Sequence, residues 1–139
     1  MITFATYAAR ESELHNVCIL ARSLRTFGGR HAEAPVRAYV PADLAQGDAS
    51  NQAELVELGV DLHSVADVDD EAAWYYYAQK VFAAAQAESD LSGSADILAW
   101  LDEDTAILQE PSEFLLPEGI DLGYRPVMHR NIGLLIDDP

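Results

Sequence analysis

Short apolar runs of strand length alternate with helical patterns through the first hundred residues, and this alternation constrains the fold more than any other feature. Residues 2–8 form the first run, and Glu11–Phe27 follows with Leu14, Val17, Cys18, Ala21 and Leu24 at helical spacing. Glu11 or Ser12 can begin that helix, and Gly28-Gly29 provide the glycine stop. Val36–Val40 reads as a second strand closed by Pro41, residues 52–58 as a short helix stopped by Gly59, and residues 60–65 as a third strand. A helix over residues 73–89 comes next, and its aromatic cluster of Trp74, Tyr75, Tyr76 and Tyr77 is expected to form its core face. Residues 96–101 are the fourth strand, and residues 120–124 and 132–136 read as two more. The pattern predicts an α/β fold, a mostly parallel sheet with helices on both faces. Parallel strands joined by crossovers end on one common edge, where open α/β sheets bind their ligands.

The fourth strand ends in a way that bears on chemistry. Ile97-Leu98-Ala99-Trp100-Leu101 stops at Asp102-Glu103-Asp104. In extended backbone alternate side chains share a face, so Asp102 and Asp104 are expected to point together and Glu103 elsewhere. Two neighbouring carboxylates repel unless a cation lies between them, and a hard divalent ion is the usual answer. Trp100 and Leu101 are expected to be buried, with Asp102 reaching a cleft. A solvated Asp-x-Asp surface turn is the plain alternative in so acidic a chain. The aspartyl-nucleophile phosphatase pattern is set aside, because Ala106 stands where its threonine belongs and the pattern normally opens a chain.

Composition narrows the partners. At 139 residues, half of them apolar, the chain is long enough for one folded domain with a modest core. It has neither a membrane-length apolar run nor the basic start and apolar stretch of a signal peptide. The single cysteine, Cys18, sits among apolar neighbours and cannot form an internal disulfide, which fits a reducing, cytoplasmic setting. A net charge of −16, from 24 acidic and 8 basic residues, repels nucleic acid and anionic membranes. Lys80 is the only lysine. Neither Gly-x-Gly-x-x-Gly nor the P-loop pattern occurs, so any bound phosphate must be held by a metal and side chains.

An N-terminal strand with Thr6-Tyr7, a long helix, Asp102-Glu103-Asp104-Thr105 after an apolar strand, and Asn131-Ile132-Gly133 ahead of an apolar stretch occur here in a familiar order. In order and spacing this resembles the nucleotide-binding half of a GT-A glycosyltransferase, of the nucleotide-diphospho-sugar transferase superfamily. The resemblance implies a Rossmann-like half-domain, with residues 1–139 a single nucleotide-sugar-binding domain, shorter than family members that continue into a second half. It also implies Mn²⁺ or Mg²⁺ bridging the two phosphates of a nucleoside-diphosphate sugar. Asp102 would lie near the ribose and metal, Asp104 would be a direct ligand, and Thr6 and Tyr7 would line the nucleoside pocket. Lys80 could face the diphosphate as a point charge, and reads equally as a helix-surface lysine. Arg125 and Arg130 could face phosphate or pair with the abundant acids, and Asn131 and Gly133 would flank the donor sugar. His129 arrives too soon after the acidic triplet to match the family's late metal-binding histidine, and the residues assign no catalytic base.

Other classes stay open beside a hexosyl or related transferase. One is a non-catalytic nucleotide-sugar-binding domain; another is an acidic α/β interaction domain in which Asp102 and Asp104 are solvated. A nucleotidyltransferase would need a Gly-rich segment after Phe4 that is missing. Gly133-Leu134-Leu135-Ile136 is the apolar stretch expected to drive self-association. The charge makes its own prediction: screening of the acidic surface by salt relieves self-repulsion, so the melting temperature should rise steeply with added KCl. A flat response would remove high-salt adaptation as the reason for the acid excess.

Overall fold

The computed structural model describes residues 1–46, 51–65, 72, 75 and 77–124. Four strands, β1 (Ile2–Tyr7), β2 (Val36–Val40), β3 (Val60–Ser64) and β4 (Ile97–Trp100), pair in the order β3-β2-β1-β4, all parallel. The long helices are α1 (Glu11–Phe27) and α4 (Ala78–Leu91), with α2 (Ala42–Gln46) and α3 (Gln52–Glu57) short between β2 and β3. This is the α/β architecture that the alternating pattern predicts.

Strand alternation divides the core into two layers. Ile2 and Phe4 of β1, Val36, Ala38 and Val40 of β2, and Ala99 of β4 pack with Leu14, Val17, Cys18, Ala21 and Leu24 of α1. Ala5, Tyr7 and Tyr39 face the opposite side, with Leu98 and Trp100, against Ala83 and Ala87 of α4. All six residues of β1 are buried, as a central strand covered on both faces requires.

The five apolar positions picked out for α1 are all buried, and Glu11 and Glu13 lie in its first turn, where the helix dipole favours negative charge. Glu13 also accepts a hydrogen bond from the Ala9 N–H at 2.6 Å, tying the loop after β1 to the helix start. The helix stops at Gly28, and Gly29 takes the left-handed conformation with φ of 57°. Near its end Arg25 donates to the carbonyls of Ala32, Ala34, Leu58 and Gly59. One guanidinium thus fastens α1 to the lead-in of β2 and to the turn before β3.

Three expectations are corrected. The fourth helix begins at Ala78 rather than 73, and it meets the sheet through Ala78, Ala83, Ala87 and Leu91. Tyr75 and Tyr77 are half exposed instead of forming its core face, while Trp74 and Tyr76 lie outside the described residues. The reason is steric: Tyr7, Tyr39 and Trp100 already fill this side of the sheet, so the covering helix contributes alanines. Residues 120–124 form no strand; Ile120 closes a turn onto the Pro117 carbonyl, and Leu122 and Tyr124 are exposed. Trp100 and Leu101 are half-buried rather than fully buried. Residues 132–136, the other expected strand, lie outside the described residues, as does the apolar stretch Gly133 to Ile136.

The segment after β4 returns along the α1 face. Ile107 is buried and donates its N–H to Ser23 Oγ at 2.8 Å, and Phe114 meets Phe4 edge-on at 6.0 Å. Glu110 then receives the Arg30 guanidinium at 2.7 Å and packs directly over Gly29. Replacing Gly29 by alanine should therefore cost at least about 1–2 kcal/mol, from left-handed backbone alone, with Glu110 displaced as well. Denaturant melts check this, and a change within about 0.5 kcal/mol, typical of an unconstrained surface site, would contradict it.

Candidate functional site

In the order β3-β2-β1-β4 the chain steps outward from β1 to β3 and then returns to the other side of β1 to place β4. The carboxyl ends of β1 and β4 thus flank the point where strand order reverses, the usual crevice for ligands in open α/β sheets. Their register aligns Ala5 with Trp100, and the Leu101 N–H bonds to the Ala5 carbonyl at 2.9 Å. Thr6 and Tyr7 on one strand thereby come beside Leu101 and Asp102 at the end of the other.

Beyond Leu101 the strand does not continue. The Thr105 N–H bonds to the Asp102 carbonyl at 3.1 Å, closing a turn around Glu103 and Asp104. Extended alternation therefore fails here, and with it the expectation that Glu103 points away from the site. Lys80, in the first turn of α4, donates to Asp102 Oδ1 at 2.8 Å and to Glu103 Oε2 at 3.2 Å. The Glu103 side chain is only 15% exposed, against 62% for Asp102, so the middle residue of the triplet is the better shielded arm. Asp104 is exposed, and among the described residues no side chain pairs with it. Burial alone would lower the lysine's affinity for its proton. The hydrogen bonds and charges of Asp102 and Glu103 outweigh burial, and hold Lys80 above its ordinary range and cationic at neutral pH.

Tyr7 forms the floor between the two strand ends. It is 4% exposed, and its hydroxyl donates to Gln79 Oε1 on the first turn of α4. Burial, then the charges of Glu13 and Asp43, push its ionisation up against an opposing pull from Lys80, so the hydroxyl stays neutral. Thr6 is fully buried, and its Oγ1 has no hydrogen-bond partner among the described residues.

Of the residues singled out by sequence, Tyr7, Lys80, Asp102 and Asp104 come together on this edge, and Thr6 lies beneath them. Asn131 and Gly133, with Arg125, His129 and Arg130, lie outside the described residues. Sequence reasoning missed Glu103, Gln79 and Glu13. Glu103 was hidden by the assumption of unbroken extended backbone, whereas Gln79 could have been flagged by standing next to the only lysine on a helix start. His63 stacks on Tyr39 at 5.3 Å.

Two open grooves lie elsewhere. One of ≈ 450 Å³ runs along β3 and α3 past Arg37, Leu55, Asp61 and His63, and one of ≈ 670 Å³ lies between the end of β3 and α4. Neither includes Lys80 or the acidic turn.

Among the described residues no group of three or more His, Cys, Asp or Glu side chains converges as a metal cage. The donor chemistry nevertheless fits a hard cation of the Mg²⁺ or Mn²⁺ kind. Such ions are commonly held by one or two carboxylates, with phosphate and water oxygens completing the shell, and Asp102 and Asp104 present exposed carboxylates on one turn. Comparison of the sequence with protein-family models and with characterised proteins gave no match. Among the described residues no helix is long and apolar enough to cross a membrane.

Proposed function

We propose that the protein binds a nucleoside-diphosphate sugar at the ends of β1 and β4, through a divalent cation held by Asp102 and Asp104, and serves glycosyl transfer. The observation that carries this reading is the acidic turn at the end of β4, set at the reversal of strand order beside Tyr7 and Lys80. When bound, Mn²⁺ or Mg²⁺ supplies Lewis-acid neutralisation of the charge that builds on the departing diphosphate. The chain's own residues do the rest of the binding work. Asp102 and Asp104 provide the hard oxygens. Lys80 brings a positive charge to a chain whose surface otherwise repels phosphate. Tyr7, buried, kept neutral and anchored to Gln79, fixes the floor beneath the site without adding negative charge there. In the same reading Asn131 and Gly133, which lie outside the described residues, would flank the donor sugar.

One observation favours a second reading, a non-catalytic acidic interaction domain. Lys80 already bonds both Asp102 and Glu103, so these two carboxylates have a cationic partner without a metal.

Calorimetry with UDP and GDP, with and without Mn²⁺, separates the two. Metal-dependent binding of either nucleotide is the expected result, and no binding under any condition would leave only the interaction domain. Asp104→Asn should weaken Mn²⁺-dependent binding by at least about tenfold to a hundredfold, the range that loss of even an outer partner of a metal ligand costs. Because Asp104 is exposed, its stability without metal should stay within about 0.5 kcal/mol of the parent. A variant that melts well below the parent and still binds UDP with Mn²⁺ would make Asp104 structural.

A further inference from the structure

We propose that the free edge of β3 is a docking surface for an extended peptide of alternating apolar and basic side chains, added antiparallel as a further strand. The proposal is independent of the nucleotide reading and concerns the edge of the sheet opposite β4. Among the described residues β3 pairs only with β2. The Val65 N–H bonds to the Val40 carbonyl at 2.8 Å, and in a parallel ladder every second residue turns its backbone groups to the same neighbour. Val60, Leu62 and Ser64 therefore turn theirs away from β2. Gln86 reaches the Ser64 carbonyl at 3.1 Å, whereas the N–H and C=O of Leu62 meet no strand among the described residues. Such an edge is the template on which an extended peptide adds.

The groove of ≈ 450 Å³ gives the added strand two different faces. It is lined by Leu55 and Val56 of α3 together with consecutive residues of β3. Val60 and Leu62 belong to the core layer under α1, and Asp61 and His63 alternate to the other side. Val56 leaves a large apolar side chain 74% exposed on this rim. In antiparallel pairing, residues directly opposite share a face. The residue opposite Leu62 thus meets the apolar rim, and its neighbours in sequence meet Asp61 and His63. Asp61 is exposed, and no ion pair holds it among the described residues. Its register partner Arg37 stands one strand further in, so Asp61 is the first charge that the added strand meets. On a chain of net charge −16 this position attracts basic side chains and repels acidic ones.

The test is fluorescence anisotropy of a short labelled peptide of alternating valine and lysine, titrated with the full chain. Saturable binding is the expected result. The same peptide N-methylated at its valines keeps the charge but loses the N–H groups that antiparallel addition aims at the edge. It should bind about tenfold more weakly or worse, the factor for losing a well-formed hydrogen bond. Asp61→Lys should weaken binding of the unmethylated peptide about tenfold or more, because like charges then face each other. Glu118→Lys makes the same charge change on an exposed residue outside the groove, and should alter binding less than about twofold, since salt screens distant charges. Thermal melts confirm that each variant is folded. If Asp61→Lys is not, Asp61→Asn takes its place, removing the charge without setting a second cation opposite Arg37. Absence of binding, equal binding of the methylated peptide, or equal losses in the two lysine variants overturns the proposal. The last two outcomes are those of general attraction to an acidic surface.

Discussion

A single ammonium group organises the functional edge of this protein. Lys80 is the one lysine in a chain with 24 acidic residues, and it lies between Asp102 and Glu103 with most of its surface covered. Without it the turn after β4 would hold three adjacent carboxylates with no cation opposite them among the described residues. With it, α4 is fixed to the end of β4, and the start of that helix brings Gln79 to the hydroxyl of Tyr7 on β1. Three elements far apart in sequence thus share one small polar junction. An isolated surface ion pair contributes little; here one arm is shielded and the pair sits beside a second, partly buried hydrogen bond.

The turn is also held from behind. After Asp104 the chain passes along α1, with Ile107 buried against the core and bonded to Ser23, and Glu110 seated on Gly29 and Arg30. The acidic turn is therefore clamped between Lys80 on one side of the sheet and the α1 surface on the other. The two grooves described above flank β3 and do not include this turn.

Most of the architecture was legible in the sequence because its signals are local. The apolar spacing of α1 and the glycines that stop it are read correctly position by position, and the four strands fall within a residue of their expected bounds in a parallel sheet. Failures arose where a distant partner decides the outcome. The tyrosines before α4 look like a core face by composition, yet Tyr39 and Trp100 from the sheet had already filled that volume. Residues 120–124 have strand-like composition, but β structure needs a neighbour, and among the described residues none pairs with them. At the site, Tyr7, Lys80, Asp102 and Asp104 were identifiable as types. What could not be seen was that the backbone turns between Asp102 and Thr105 instead of staying extended, which brings Glu103 and not Asp104 to the lysine.

The most direct test of the account is a crystal structure of the protein with UDP and Mn²⁺, recorded with anomalous scattering at the manganese edge. The account predicts an anomalous peak in direct contact with the Asp102 and Asp104 carboxylates and with the diphosphate oxygens, with the nucleoside at the carboxyl ends of β1 and β4. A nucleotide seated in the grooves beside β3, or a manganese peak that touches neither aspartate, would contradict it.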